Sequence, residues 1–274
     1  MKYKDIKTEY IGVNNKFAYR QLGVENKGIP LVLLPHLAAT MDNWQPTLMD
    51  ELAKEYHVIV FDNLGVGGTD GKVQDTIRGM AEGVVEFLQL LNIEKINLLG
   101  MSMGGFVAQE LLMLRPNIVD KLILAGTGPR GGVGISKVGF ITYVDIFRGK
   151  LHSIDPKRYL FFENTEVGKE AAIKFLDSLK RDSNKDKDIT ADAFAKQLKA
   201  IKKWGKELPA DLSKVEQPTL VINGDNDRMV PTENTYDLAK RIPNSKLIIY
   251  KKSGHGAIFE YPSETAKAVI DFIG

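Results

Sequence analysis

The stretch that decides the fold is INLLGMSMGGFVAQELLML, residues 96–114. It opens with a nearly all-apolar run, which is typical of a strand buried on both faces. From Met103 onward it has the apolar spacing of a helix, and Pro116 stops that helix. Between the two lies Gly100-Met101-Ser102-Met103-Gly104, a G-x-S-x-G sequence. A serine on a sharp strand-to-helix turn projects its hydroxyl beyond the end of the sheet, so Ser102 is predicted to be a nucleophile.

The same strand-then-helix pattern extends in both directions along the chain. Five further short apolar runs lie at 29–34, 57–61, 121–125, 218–223 and 246–250. Helix-period segments lie among them, at about 44–54, 75–91, 103–114, 232–241 and 262–273. Two extended segments, about 3–10 and 16–22, predict an antiparallel hairpin at the start. Because strands that alternate with helices form parallel sheets, we predict an α/β fold with a mostly parallel central sheet flanked by helices.

The alternation stops after residue 125. Residues 126–134, GTGPRGGVG, contain five glycines and a proline, which indicates a loop. From there to about 209 no buried strand is recognisable, and helices are predicted near 135–147, 166–182 and 190–204, with a charged join at 181–188. We therefore predict a first core segment at 1–129, a helical insertion at 130–209 and a second core segment at 210–274.

Composition excludes several classes of protein. The 274 residues include 37 Lys+Arg and 35 Asp+Glu, a net charge of +2, which argues against a nucleic acid partner. No apolar run approaches the roughly 18 residues of a membrane span, and MKYKDIKTEY at the start lacks a signal-peptide pattern, so we expect a cytoplasmic protein without membrane contact. Because cysteine is absent, a disulfide framework, a thiolate zinc site and a cysteine nucleophile are excluded.

The charges are unevenly distributed. Residues 130–209 hold 17 Lys+Arg and 11 Asp+Glu, whereas the remainder holds 20 and 24. A solvated helical surface accounts for such an excess. A second interpretation is a positive field above the site that favours anionic substrates.

A serine nucleophile needs a base and an acid that orients it. Of the four histidines, His36 and His255 follow strands and reach the edge where strand carboxyl ends meet. Flanking glycines allow a loop to present His255, which is the predicted base. The acid follows the strand at 218–223, where Asp225 and Asp227 are both available. Spacing alone does not choose between them, since either could instead stabilise the turn.

At this point the chain resembles the α/β-hydrolase superfamily over essentially its whole length. The matching segments are LLPHLAAT (33–40), DNLGVGGTD (62–70), GMSMGG (100–105), NGDNDRMVP (223–231) and SGHGAIFEYP (253–262). The resemblance implies Ser102 as nucleophile, His255 as base and Asp227 as the orienting acid, with Asp225 in the turn. It also implies that residues 130–209 form a cap over the site.

The resemblance further implies an oxyanion hole made by the backbone N–H groups of Met103 and Leu37. The family's first loop usually begins His-Gly, and here leucine replaces that glycine. His36, Trp44 and Phe259 are candidates for the substrate pocket, although spacing does not separate pocket from core. The 62–70 stretch has the glycines of a nucleotide-binding loop but not the G-x-G-x-x-G spacing, so a structural turn is predicted. No metal or organic cofactor is implied.

These residues predict an enzyme that hydrolyses a small-molecule ester or lactone through an acyl-enzyme, as a monomer or homodimer. Three alternatives stay open: hydrolysis of a C–C bond in a diketone-type compound, a cofactor-free perhydrolase, and a ligand-binding receptor built on a hydrolase fold. Ser102 at the nucleophile position argues against the dehalogenases and epoxide hydrolases of the superfamily, which use an aspartate.

Overall fold

The computed structural model describes residues 2–181 and 185–274, and within them eight strands form one sheet. The strands are β1 (Glu9–Ile11), β2 (Phe17–Leu22), β3 (Leu31–Leu34), β4 (Val58–Phe61), β5 (Ile96–Met101), β6 (Val119–Ala125), β7 (Thr219–Gly224) and β8 (Ser245–Tyr250). The helices are α1 (Pro46–Leu52), α2 (Ile77–Leu90), α3 (Met103–Leu114), α4 (Val138–His152), α5 (Lys157–Phe161), α6 (Glu166–Ser178), α7 (Ala191–Trp204), α8 (Glu233–Arg241), α9 (Ala257–Glu260) and α10 (Pro262–Ile273).

The sheet order is β1-β2-β4-β3-β5-β6-β7-β8. Pairs among β3 to β8 are parallel, whereas β1 and β2 join antiparallel at one end. The parallel strands therefore all end at the same edge, and the loops after β3, β5, β7 and β8 meet there. The predicted fold class is confirmed.

Two apolar layers cover the faces of the sheet. Alternate strand residues such as Val32 and Leu98 belong to a layer that includes Phe87 of α2 and Phe106 of α3. The intervening strand residues, such as Leu33 and Leu99, belong to the other layer, with side chains of α1 and α10. Burial on both faces explains why these strands are apolar runs rather than alternating ones.

The predicted opening hairpin is only partly correct. Residues 9–11 pair with β2, but Tyr3–Asp5 form a 3₁₀ turn instead of extending the strand. The Tyr3 backbone N–H donates to Asp50 Oδ1 at 2.6 Å, and its buried hydroxyl donates to the Met41 carbonyl. This anchoring draws the first residues away from the sheet edge.

Between β6 and β7 the described residues form helices and loops but no strand. The three helices expected here are present as α4, α6 and α7, but the short α5 was missed and α4 runs to His152 rather than to about 147. The predicted helix at 166–182 ends at Ser178; residues 182–184 of this helix and of the charged join lie outside the described residues. Trp204 of α7 stacks on Phe106 of α3, with ring centroids 5.7 Å apart, so this segment is attached to the core.

Among the described residues, none of the helices combines the length and the hydropathy that a membrane crossing requires.

Candidate active site

Ser102 occupies the turn between β5 and α3 with a positive φ of 54° and a ψ of −115°. Such a backbone is costly for a residue with a Cβ, and it persists only where the surroundings fix it. The neighbouring Gly104 makes room for it, since a Cβ there would collide with the Leu34 carbonyl oxygen of β3. The Thr127 hydroxyl donates to the Ser102 carbonyl at 2.8 Å and holds the turn from the other side.

His255 connects Ser102 to a carboxylate. Its Nε2 lies 2.9 Å from Ser102 Oγ, and its Nδ1 lies 2.7 Å from Asp227 Oδ2. Because an ionised carboxylate only accepts hydrogen bonds, Nδ1 carries the proton and Nε2 presents its lone pair to the serine hydroxyl. The three side chains are buried. The arrangement is that of a nucleophile, a base and an orienting acid.

The structure distinguishes the two aspartates that the spacing left open. Asp227 Oδ1 accepts from the backbone N–H groups of Met229 and Val230 at 2.8 and 2.9 Å, which leaves Oδ2 to face His255. Asp225 instead accepts from the Ser253 backbone N–H at 3.2 Å and pairs with Lys251 at 3.8 Å. Asp225 therefore braces the turn between the two loops, and Asp227 bonds to the histidine.

Asn223 has a supporting role that the sequence did not indicate. Its Nδ2 donates to Asp227 Oδ2 at 3.1 Å and to Thr235 Oγ1 at 2.9 Å, and its side chain is fully buried. It therefore helps to fix the carboxylate. An asparagine at the end of a strand is equally typical of a turn. The sequence therefore does not distinguish a turn residue from one that supports Asp227.

The His255 loop is also attached to the inserted segment. The Gly256 backbone N–H donates to the Phe161 carbonyl at 2.8 Å, and the Phe161 and His255 rings lie 5.9 Å apart. A Cβ at Gly256 would come within 2.7 Å of Phe161 Cβ, so glycine permits this close approach. α5 and the His255 loop therefore hold each other in place.

A cavity of about 250 Å³ opens beside Ser102 and His255; we call it the serine cavity. Its remaining walls are mainly apolar: His36, Leu37, Ala38, Val138, Thr142, Ile146, Asp155, Pro156, Lys157, Leu160, Phe161, Phe194 and Met229. Many of these residues belong to the inserted segment, which covers the sheet edge at this point. The reactive hydroxyl thus faces a space that a small molecule can fill.

Comparison with known proteins identifies the family of the chain. Residues 29–262 match the family described as alpha/beta hydrolase fold. The chain belongs to this family. An alpha/beta hydrolase fold protein from Chitinophaga pinensis is 32% identical, with a TM-score of 0.94 over 100% of this chain and 99% of that one.

Two relatives are enzymes that are named for their substrates. The 2-hydroxy-6-oxo-6-(2'-aminophenyl)hexa-2,4-dienoic acid hydrolase of Metapseudomonas resinovorans is 27% identical over 264 residues, which cover 90% of this chain and 84% of that protein. The 2-hydroxy-6-oxononadienedioate/2-hydroxy-6-oxononatrienedioate hydrolase of Cupriavidus pinatubonensis is 29% identical over 226 residues, covering 81% and 78%.

In this alpha/beta hydrolase the two predicted oxyanion donors, Met103 and Leu37, belong to different elements. Met103 is the first residue of α3, and the first N–H groups of a helix have no acceptor within the helix. Leu37 lines the cavity from the loop after β3. The next N–H in that loop, of Ala38, is occupied, because it donates to Gln197 Oε1 at 2.8 Å.

His36 lines the cavity as a neutral ring. Burial lowers its pKa from 6.5 to about 3, and its Nδ1 hydrogen-bonds with the Leu37 carbonyl at 2.8 Å. The Nδ1 proton is thereby used within the loop, and the buried Nε2 has no hydrogen-bond partner among the described residues. His36 is therefore a neutral wall of the cavity with one unoccupied acceptor.

Two residues predicted as pocket candidates, Trp44 and Phe259, lie in the core instead. Both are buried in the apolar layer behind His36, with the Phe259 ring 5.9 Å from the His36 ring and 6.3 Å from that of Trp44. Neither contributes to the wall of the serine cavity. The loop after β3 and α9 bring their residues to the right edge of the sheet, but these two side chains point into the core.

The glycine-rich stretch at 62–70 forms a turn in the structure. Asp62 accepts from the backbone N–H groups of Met41 and Gly68 at 2.9 and 3.0 Å, and Gly65 and Gly67 have positive φ. Its polar atoms are thus used to hold neighbouring loops. The described residues contain no group of three or more His, Cys, Asp or Glu suited to a metal ion.

Proposed function

We propose that this alpha/beta hydrolase cleaves a small-molecule carboxylic ester or lactone with Ser102 as nucleophile. The observation that carries the proposal is the continuous hydrogen-bonded chain from Ser102 Oγ through His255 to Asp227 Oδ2, at 2.9 and 2.7 Å, beside a cavity of about 250 Å³. Ester hydrolysis demands nothing beyond this constellation and an oxyanion hole.

The reaction follows from the hydrogen bonds. Ser102 Oγ attacks the carbonyl carbon while its proton passes to His255 Nε2, and Asp227 stabilises the imidazolium that forms. The imidazolium then protonates the leaving alcohol oxygen as the C–O bond breaks, which leaves an acyl-enzyme. A water, deprotonated by His255, attacks the acyl carbon, and collapse of the second tetrahedral intermediate returns the proton to Ser102 Oγ and releases the acid.

The negative oxygen of each tetrahedral intermediate is assigned to the backbone N–H groups of Met103 and Leu37. The first lies at the positive end of α3, where the helix dipole favours an anion. The second lies in a loop whose conformation is held by the His36–Leu37 and Ala38–Gln197 hydrogen bonds. The leucine side chain adds an apolar surface to the entrance of the cavity.

The cavity walls favour an uncharged, mainly apolar substrate. Within the described residues, Lys157 is the one lysine or arginine on the wall, and Asp155 lies 3.6 Å from it and also lines the cavity. His36 is neutral at physiological pH. Since the charges of Lys157 and Asp155 cancel, the serine cavity has little net charge with which to attract a carboxylate. We propose that the inserted segment acts as a cap that selects substrates by size and polarity.

Hydrolysis of a C–C bond is the second candidate, because both curated relatives are named for unsaturated oxo acids. The same Ser–His pair can serve that chemistry. Such substrates carry a carboxylate, and the Lys157–Asp155 pairing in the serine cavity leaves no uncompensated cation there to receive it. The ester or lactone proposal is preferred for this reason.

A panel assay tests the proposal. We expect short-chain p-nitrophenyl esters or aliphatic lactones to be hydrolysed, a fluorophosphonate to label Ser102, and Ser102→Ala to abolish both. Ser136→Ala, which alters a serine of the inserted segment, should leave both unchanged.

A protein that neither turns over esters and lactones nor reacts with the fluorophosphonate contradicts the proposal and leaves the receptor alternative. A strong preference for a vinylogous diketone would select C–C hydrolysis, and Ser102-dependent halogenation with peroxide would select the perhydrolase.

A further inference from the structure

A second cavity of about 520 Å³ lies on the other side of the Leu160–Phe161 segment from Ser102. It shares three residues with the serine cavity, namely Leu160, Phe161 and His255. Its walls otherwise differ in character, because Arg148, Arg158 and Arg228 face it against a single carboxylate, Glu163. We call it the arginine cavity. Its positive charge contrasts with the mainly apolar serine cavity.

Arg158 is the residue that singles out this cavity. It lies in α5 and is only 6% exposed. Its Nη2 donates to Asn164 Oδ1 at 3.2 Å, whereas its Nη1 is buried and has no hydrogen-bond partner within the described residues. A buried, charged donor without an acceptor is costly, and such a group is satisfied in a working protein by a ligand or by water.

Arg148 of α4 adds a second uncompensated charge. Its guanidinium lies 4.1 Å from the centre of the Tyr159 ring, and no carboxylate in the described parts of the chain pairs with it. This cation–π contact holds the guanidinium over the ring, and its N–H groups can still donate to a ligand.

The other charged groups of the arginine cavity are already engaged. Arg228 pairs with the buried Asp145 and donates to the Tyr159 carbonyl. Glu163 accepts from Asn226 Nδ2 at 2.5 Å. What remains for a ligand is the pair Arg148 and Arg158, two guanidinium groups beside the same tyrosine ring.

The direction of the Arg158 pKa shift agrees with a site that favours an anion. Burial lowers it from its ordinary value, and the charge of Arg148 acts in the same direction, while Tyr159 and Glu166 oppose the shift. A bound anion would compensate both the burial and the repulsion between the two arginines. The guanidinium still stays charged at physiological pH, so the demand for a counter-charge persists.

We infer that the arginine cavity binds a small oxyanion, a carboxylate or a phosphate group, held by Arg158 and Arg148. The planar fork of a guanidinium matches two oxygens of either group. The inference goes beyond the proposed hydrolysis and does not depend on it, since binding can be measured without turnover. Because Leu160 and Phe161 separate the two cavities, an anion there rests against the wall of the serine cavity.

Calorimetric titration with inorganic phosphate and with malonate tests the inference on Ser102→Ala protein at low ionic strength. We expect saturable binding of at least one probe at a 1:1 ratio. Arg158→Gln and the more exposed Arg148→Gln should each weaken it by about 10-fold or more, as expected for loss of a charge-assisted hydrogen bond. Arg148→Gln keeps the test decisive if Arg158→Gln does not fold. Lys150→Gln removes the same charge from an exposed position of α4 outside the cavity and should change the affinity less than about 2-fold.

The origin of the anion is settled by a pair of esters, 4-nitrophenyl butyrate and mono-4-nitrophenyl glutarate, assayed with active enzyme. If the anion is part of the substrate, Arg148→Gln raises KM for the glutarate alone. If it is a separate molecule, Arg148→Gln weakens phosphate or malonate binding as above and alters both KM values alike. The inference is overturned if neither phosphate nor malonate binds, or if Lys150→Gln and Arg148→Gln weaken binding equally. This holds whatever the outcome of the ester assays.

Discussion

At the scale of single residues, the two aspartates after β7 give the sharpest prediction. Asp227→Asn should lower kcat for an ester by roughly 10³–10⁴-fold, because an amide in place of the carboxylate no longer fixes the Nδ1–H tautomer of His255. Asp225→Asn should cost less than about 3-fold, since Asp225 bonds to the Ser253 backbone and not to the histidine. Steady-state kinetics of both variants on one ester make the comparison.

The two substitutions are matched in chemistry and lie two positions apart in one loop. Circular dichroism and the melting temperature show whether either disturbs folding. Similar losses of kcat in two well-folded variants would contradict the assignment of Asp227.

His36 makes stability depend on pH. In the unfolded chain its pKa is near 6.5, whereas in the folded protein burial lowers it to about 3. The unfolded state therefore binds a proton first, and the free energy of unfolding falls as pH decreases from 6.5 towards 3. At pH 5 the loss from this one residue should be about 2 kcal/mol relative to neutral pH.

Urea unfolding at pH 7.5 and 5.0 measures the effect of His36. His36→Asn keeps a donor for the Leu37 carbonyl but does not titrate, so its stability should fall by about 2 kcal/mol less than that of the wild type over this interval. His152→Asn alters an exposed ring of α4 and should behave like the wild type. The same pH slope in His36→Asn and wild type would refute the assignment.

At the scale of elements, the close approach of α3 to β3 fixes Ser102. A methyl group at Gly104 would overlap the Leu34 carbonyl and lie 2.9 Å from that of Pro35, and both are backbone atoms that cannot rotate away. Gly104→Ala should therefore cost about 1–3 kcal/mol and displace the start of α3, with a fall in activity larger than the fall in folded protein.

Gly139→Ala is the matched control for Gly104→Ala. The nearest atom to its new methyl group is Leu198 Cδ2 at 3.7 Å, an ordinary contact, and alanine is favoured within a helix such as α4 by roughly 0.5–1 kcal/mol. Gly104→Ala should lower both the melting temperature and kcat/KM. Gly139→Ala should leave kcat/KM unchanged and keep or raise the melting temperature. A Gly104→Ala enzyme as stable and active as wild type would show that α3 is free to shift.

At the scale of the whole molecule, two carboxyl groups, those of Asp62 and Asp186, lie where the inserted segment meets the core. Burial and the neighbouring Asp186 carboxyl raise the pKa of Asp62 well above its ordinary value. The Asp186 backbone N–H also donates to Asp42 Oδ2 at 2.6 Å. This junction is most stable while Asp62 is protonated, and it weakens as pH rises through the raised folded-state pKa of Asp62.

Asp186→Asn should strengthen the junction at pH 7.5, because an amide donates to Asp62 without adding a second negative charge. We expect a rise in Tm of roughly 2–4 °C, corresponding to about 1 kcal/mol, which shrinks as pH falls towards 4. Asp188→Asn removes a nearby exposed charge that pairs with the exposed Lys185 and should leave Tm unchanged. A rise in Tm that is equal in both variants, or that does not vary with pH, would argue against repulsion between Asp62 and Asp186 at this junction.

Much of this architecture could be predicted from the sequence, for physical reasons that particular residues make clear. The buried strands are apolar runs, so β5 and the start of α3 around Ser102 were located to within a residue or two. Since each parallel strand ends at one edge, the loops carrying His36, Asp227 and His255 were placed together. Spacing did not separate Asp225 from Asp227, because the distinction lies in which backbone N–H groups each carboxylate accepts.

Side-chain direction and short elements were beyond the sequence pattern. Trp44 and Phe259 reach the right edge but point into the core, which depends on packing and not on spacing. α5 is five residues long, too short to show a period, and tertiary contacts such as that of Phe161 with Gly256 stabilise it. The residues of the arginine cavity come from α4, α5 and the loop after β7, which are far apart in the sequence. No local sequence motif therefore predicts this cavity.

The place where the inserted segment leaves the sheet also bears on evolution and on engineering. β6 and β7 pair through Leu122–Ala125 and Thr219–Ile222, with residues 126–218 as an excursion between them. The entropy of closing so long a loop depends only weakly on its length, at about 0.6 kcal/mol per doubling. The segment over Ser102 can therefore be lengthened, shortened or exchanged with little effect on the register of the sheet, provided that a new segment again supplies an acceptor for the Gly256 N–H beside His255.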